Sequence, residues 1–128
     1  MIFETNVEIK SDLMEVRKTL NDIIDQISNI LNDELLIFDI KLILNELVIN
    51  SVVHGNKLDA DKKVNLKLKV SNDCIKIEVL DEGTGFSYDK EQYDPMDLKC
   101  SGRGLVLVDG LTDKLSINNN KVSIVKYI

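Results

Sequence analysis

VNLKLKVSNDCIKIEVLDEGTGF, residues 64–86, decides the fold. Val64, Leu66, Leu68 and Val70 alternate with Asn65, Lys67 and Lys69; beyond Ser71-Asn72-Asp73, Ile75, Ile77 and Val79 alternate with Lys76 and Glu78. A period of two on both sides of a turn signal predicts two strands joined as a hairpin. Asp81 continues the phase of Ile75, Ile77 and Val79, so its carboxylate is predicted to point into the interior. Gly83 and Gly85 follow at once, and D-x-G-x-G is also an ordinary strand-ending turn.

Outward from this hairpin the chain reads as one short domain, 1–128. Phe3, Thr5, Val7 and Ile9 predict a first strand, and Asp12 with Glu15 forms a capping-box signal. Leu13, Val16, Leu20, Ile23, Ile24, Ile27 and Leu31 trace one face of an amphipathic helix. A second, largely buried helix is predicted from about Asp33 to His54, with Gly55 in the left-handed position that ends it. Asp81 to Gly104 holds four of the six glycines and the only proline, and Ser87 to Ser101 reads as a functional loop or lid. A short helix is expected from Leu105 to Leu111, then a closing hairpin turning at Asn119-Asn120. Strand, helix, helix, strand, strand, lid, helix, strand, strand predicts an α+β two-layer sandwich: a mixed, mostly antiparallel sheet covered by helices on one face. The other face would meet solvent or a partner.

Composition narrows the function. The chain is 44% hydrophobic and 30% charged, which describes a globular protein. A formal charge of -6 and a pI near 4.7 repel phosphate backbones and anionic lipid, so neither nucleic acid nor membrane is expected as a direct partner. The N-terminus lacks the pattern of a signal peptide, and the apolar stretch Leu35 to Val53 is broken by Asp39, Lys41, Asn45, Glu46 and Asn50, so the expected location is cytoplasmic. Cys74 and Cys100 form no CxxC pair and are expected to be free thiols.

Three constellations could carry chemistry. Glu46, Asn50, His54 and Lys57 fall in one arc of the second helix, either lining a cavity or facing solvent. Asp81, if inward, needs a donor such as the exocyclic amino group of a nucleobase, and Gly83 and Gly85 would let backbone lie close to a flat ring. Ser101-Gly102-Arg103-Gly104-Leu105 sits before a predicted helix, where free N–H groups attract an anion and Arg103 adds a cation; a hinge is the plain alternative.

In this order the three stretches resemble the GHKL ATP-binding superfamily: an N-box at Glu46 to Asn50, a G1 box at Asp81-x-Gly83-x-Gly85 and a G2 box at Gly102-Arg103-Gly104-Leu105. The short chain, Asp94-Pro95-Met96-Asp97 in the lid and Ser-Gly-Arg-Gly-Leu before Val106-Leu107-Val108 are similar to the anti-sigma-factor serine kinases. The resemblance implies ATP and Mg2+ as cofactors. It implies Glu46 as general base, Asn50 as Mg2+ ligand and Asp81 on the adenine amino group. Gly83 and Gly85 would pass close to the base, with Gly102, Arg103, Gly104 and Leu105 at the phosphates. It also implies a sigma factor and an anti-sigma-factor antagonist as partners, and a homodimer through the first strand and first helix. One departure stands out: the family's Gly-Thr pair before its last strand is replaced by Asn120-Lys121-Val122-Ser123. Either the Ser123 hydroxyl substitutes for that Thr or ATP is held less tightly. His54 is expected to line the pocket or cap the helix. The reading is a serine-protein kinase that is also an anti-sigma factor; the alternatives are an ATP-binding adaptor without useful kinase activity and, less suited to so short a chain, an ATP hydrolase.

Overall fold

A computed structural model describes residues 3–83 and 100–128. Five strands, β1 (Phe3–Lys10), β2 (Lys63–Val70), β3 (Cys74–Leu80), β4 (Lys114–Asn118) and β5 (Lys121–Tyr127), form a sheet in the order β1-β2-β3-β5-β4. Three helices, α1 (Leu13–Ser28), α2 (Glu34–Asn50) and α3 (Cys100–Leu111), complete the α+β sandwich. Each described strand pairing is antiparallel, where a mixed sheet was expected.

The period-two pattern has the predicted consequence. Val64, Leu66, Leu68, Val70, Ile75, Ile77 and Val79 are all buried, and they meet Val16, Leu20, Ile23 and Ile27 of α1 and Ile40, Ile43, Leu44, Leu47 and Val48 of α2 in one core. Each such aliphatic side chain removed from water contributes roughly 1.5–3 kcal/mol before chain entropy is counted. Helix α2 touches both α1 and α3, which explains why it is the most apolar helix.

Helix boundaries differ from expectation in three places, each with a physical cause. The Asp12 carboxylate caps α1 by accepting from the Met14 and Glu15 amides, but the Asp12 amide donates to the Lys10 carbonyl, so the reciprocal half of the capping box does not form. Helix α3 begins at Cys100 and not at Leu105. Glycine disfavours helix, which makes 101–104 read as loop, but Leu105 and Val108 are buried in the core and anchor the helix behind it. Helix α2 runs into a π-helical turn, Ser51–Gly55, closed by the Asn56 amide on the Ser51 carbonyl at 2.8 Å. The left-handed residues there are Lys57 (φ 53°) and Leu58 (φ 59°), and Gly55 does not take that conformation.

Candidate functional site

The π-helical turn builds the site. Inserting one extra residue into a helix rotates everything beyond it. Glu46 is half-buried and Asn50 and Ser51 are buried, whereas His54 and Lys57, expected in the same arc, are exposed. His54 therefore does not line the buried corner. The rotation carries Asn56 inward instead, to 0% exposure.

Asn56 ties three segments together. Its Nδ2 donates to Ser11 Oγ at 2.9 Å and to the Lys63 carbonyl at 3.1 Å, and its Oδ1 accepts from the Glu82 amide at 2.8 Å. Ser11 Oγ in turn donates to the Lys62 carbonyl at 2.9 Å. The end of β1, the start of β2 and the residue after Asp81 are thereby fixed to the end of the π-helical turn. In the sequence Asn56 reads only as the residue after Gly55 at the end of a helix.

Close approach, and not backbone handedness, is the reason for the glycines here. A Cβ on Gly55 would lie 2.1 Å from Asp81 Oδ2, and one on Gly83 would lie 2.2 Å from the Gly55 carbonyl oxygen. The backbone cannot yield, and the buried carboxylate can do so only by leaving its position. Two glycines thus let the strand end, the turn after it and the end of the helix stack at contact distance.

Asp81 points inward as its phase predicts and is 2% exposed. Its amide donates to the Asn120 carbonyl at 3.0 Å, the Asn120 side-chain amide donates back to the Asp81 carbonyl, and Oδ1 accepts from the Gly83 amide at 2.8 Å. Burial pushes the Asp81 carboxyl above its ordinary range, with the Gly83 amide, the Ser51 hydroxyl and the charge of Lys62 opposing more weakly. Its other oxygen, Oδ2, is buried with no hydrogen-bond partner among the described residues, and so is Nδ2 of Asn50. Buried polar atoms are normally satisfied, because leaving one bare costs about 1–3 kcal/mol. An unpaired acceptor and an unpaired donor in one corner are what a site shaped for a polar ligand leaves behind.

The remaining site expectations divide. Gly102, Arg103 and Gly104 lie within α3 and not ahead of it, near the first described turn of the helix. The Leu105 side chain is 3% exposed and belongs to the core, so only its main chain is left to meet a ligand. Ser123 is corrected. It pairs with Glu78 on β3 and Ser116 on β4, whereas Val122 and Ile124 on either side of it are buried. Its hydroxyl therefore lies on the outer face of the sheet, opposite to Asp81, and cannot stand in for a threonine at the same ligand. The residue that does meet Asp81 from the last hairpin is Asn120. A turn signal hid it, since Asn119 is the one with positive φ (56°). Gly85 and residues 87–99 of the predicted lid, Ser87 to Ser101, lie outside the described residues; its last two, Cys100 and Ser101, belong to α3. Cys74 is a free thiol, as expected. No helix among the described residues is long and apolar enough to cross a membrane.

An inward aspartate after a central strand, a glycine turn behind it and a polar stripe on the long helix opposite define a histidine kinase-like ATPase domain. The chain belongs to that family, whose description matches residues 9–126. Among named proteins it is similar to an anti-sigma F factor of Clostridium beijerinckii, 27% identical over 88 residues covering 65% of this chain and 62% of that one. It is also similar to the serine-protein kinase RsbW of Bacillus subtilis, 30% identical over 102 residues, 70% of this chain and 64% of that one. RsbW of Staphylococcus epidermidis is 29% identical over 126 residues, 88% and 77% of the two chains. The match spans less than two thirds of the length of the first two relatives.

Proposed function

We propose that this chain, all 128 residues acting as one unit, binds ATP with Mg2+, phosphorylates a serine or threonine of an antagonist protein and sequesters a sigma factor in the cytoplasm as a homodimer. The observation that carries the nucleotide half is the unpaired Oδ2 of Asp81 in a corner where Gly55 and Gly83 let the helix end and the turn approach it closely. Family membership and the kinase and anti-sigma names of the relatives support the rest.

Each residue has a physical task in this reading. Asp81 accepts from the adenine amino group through Oδ2, with Oδ1 already committed to Gly83. Gly83, and Gly85 beyond it, admit the ring without a Cβ in the way. Gly102, Arg103 and Gly104, at the described start of α3, meet the phosphates, with Arg103 adding a cation. Asn50 would offer a Mg2+ ion its side-chain carbonyl, a hard oxygen ligand, and Mg2+ takes few protein ligands when phosphates fill the rest of its shell; its buried, unpaired Nδ2 is a donor suited to a ligand oxygen. When bound, the ion would neutralise phosphate charge as the phosphoryl group leaves. Glu46, half-buried one helical turn before Asn50, takes the proton of the attacking hydroxyl.

The test mixes the protein with Mg2+ and γ-labelled ATP, with and without a candidate antagonist. Glu46→Gln keeps the shape of the stripe and removes the proton acceptor, so ATP still binds while transfer to protein falls about 10²–10⁴-fold. Transfer within a few-fold of wild type would reduce Glu46 to a polar liner. A wild-type protein that holds ATP and a sigma factor but transfers no phosphate would make it an adaptor.

A further inference from the structure

Among the described residues nothing covers the outer face of the sheet, and its charge is opposite to that of the chain. On β2, β3, β5 and β4 the outward positions carry Lys63, Lys67, Lys69, Lys76, Lys114 and Lys121 against a single glutamate, Glu78. The edge strand β1 adds Glu4, Glu8 and Lys10. The helix layer, by contrast, exposes Asp22, Asp25, Asp33 and Glu34, and the whole chain stands at -6. The sandwich is electrically polarised, with its positive side on the sheet.

Within that face the lysines are not self-neutralised. Lys67 and Lys121 share Glu78 at 3.7 and 2.8 Å, and Lys69 and Lys63 reach Glu4 and Glu8 at 3.7 and 3.5 Å, all pairs largely exposed to water and so individually weak. Lys76 and Lys114 have no carboxylate within ion-pair distance among the described residues, and Lys114 rests 5.9 Å above the Tyr127 ring. Lys69 and Lys76 stand directly opposite one another across β2 and β3, an arrangement that disfavours the sheet. Beside them the small Ser123 leaves a depression of about 350 Å³ bordered by Lys67, Lys69, Lys76 and Glu78.

We infer that this face is a docking surface for a partner protein presenting a patch of Asp and Glu side chains. Charge complementarity selects the occupant. A second copy placed sheet to sheet would set lysines against lysines. A nucleic-acid strand would have to run across Glu4, Glu8 and Glu78 on a chain that is negative overall, and the outward positions offer no arginine and only Tyr127 for stacking. Separate carboxylates can avoid the three glutamates; a continuous phosphate chain cannot. The surface lies on the side of the sheet opposite to Asp81, so its occupancy does not depend on the nucleotide reading.

The test uses a fluorescein-labelled helical peptide of about 20 Glu and Ala residues as probe, followed by anisotropy at about 50 mM and about 200 mM salt. Wild type binds it, more weakly at the higher salt. The double reversal K69E/K76E lowers affinity at least about tenfold, and K76Q/K114Q, which only removes charge, lowers it less; K18E/K41E on the helix layer leaves it unchanged. Thermal melting shows that each variant is folded. Failure of the peptide to bind, or binding indifferent to K69E/K76E and K76Q/K114Q, would overturn the inference. Tighter, equally charge-sensitive binding of an oligothymidylate of similar length would overturn it in favour of nucleic acid. Self-association of wild type that K69E/K76E abolishes would overturn it in favour of a second copy.

Discussion

Two buried corners meet at the end of α2, and they treat their polar atoms in opposite ways. Around Asn56 every side-chain polar atom has a partner, and the residue joins β1, β2 and the turn after β3. At Asp81, the residue before the Glu82 that Asn56 holds, an acceptor is left without a partner among the described residues, as is the buried Asn50 donor. A satisfied buried network holds a fold together; an unsatisfied one costs stability and is retained where a ligand completes it. The first corner is scaffold and the second is the proposed site.

Substitutions should separate the two. Asn56→Ala strips the bonds from Ser11, Lys63 and Glu82 in one step, so the unfolding free energy should fall by about 3 kcal/mol, read from the urea midpoint. A loss below about 0.5 kcal/mol would mean the network contributes little. Gly55→Ala forces a methyl group into Asp81. It should cost about 1–3 kcal/mol of stability and abolish ATP binding, since the carboxylate has to leave its position. ATP affinity that survives this change would remove Asp81 from the ligand.

The pH dependence sharpens the contrast. Burial raises the Asp81 carboxyl in the folded protein above its unfolded value, so the ionised, half-paired group costs stability at neutral pH. That cost disappears as pH falls through the raised value toward the unfolded one. Protonation also removes the acceptor that adenine needs, so ATP affinity should fall over the window in which Asp81's contribution to the stability of the empty protein rises. Comparing wild type with Asp81→Asn in paired melting and titration series isolates the carboxyl; parallel trends in the two proteins would rule it out as the cause. The smallest effect belongs to Ser123→Ala on the outer face, which should move stability by no more than about 0.5 kcal/mol and leave ATP affinity unchanged.

Much of the fold was legible because period two and period three-to-four are strong signals when one face is buried. The hairpin at Ser71-Asn72-Asp73 and the stripe of α1 came from those periods alone. Asp81 was legible for the same reason: a strand's phase tells where the next side chain points. What the sequence concealed was non-local. Gly55 looked like a helix stop, but its lack of a Cβ answers to Asp81, 26 residues later; the π-helical turn that brings them together has no periodic signature. Ser123 was chosen for its hydroxyl and position near the chain end, while its own strand phase, with Val122 and Ile124 inward, already placed it on the wrong face. Asn120 was taken as a turn residue, and only the pairing of β3 with β5 brings it to Asp81. The early start of α3 was hidden because packing of Leu105 and Val108 outweighs the low helix propensity of two glycines.

The central claim is that Asp81 is left incomplete for a nucleotide. Calorimetric titration of Mg-ATP into wild type and Asp81→Asn, with the melting temperature of each empty protein measured alongside, tests it most directly. The account predicts that the variant loses about 1–3 kcal/mol of binding free energy, because an amide nitrogen at the bare position faces the adenine amino group donor to donor, while its empty form melts no lower than wild type. Wild-type affinity in Asp81→Asn would contradict the account.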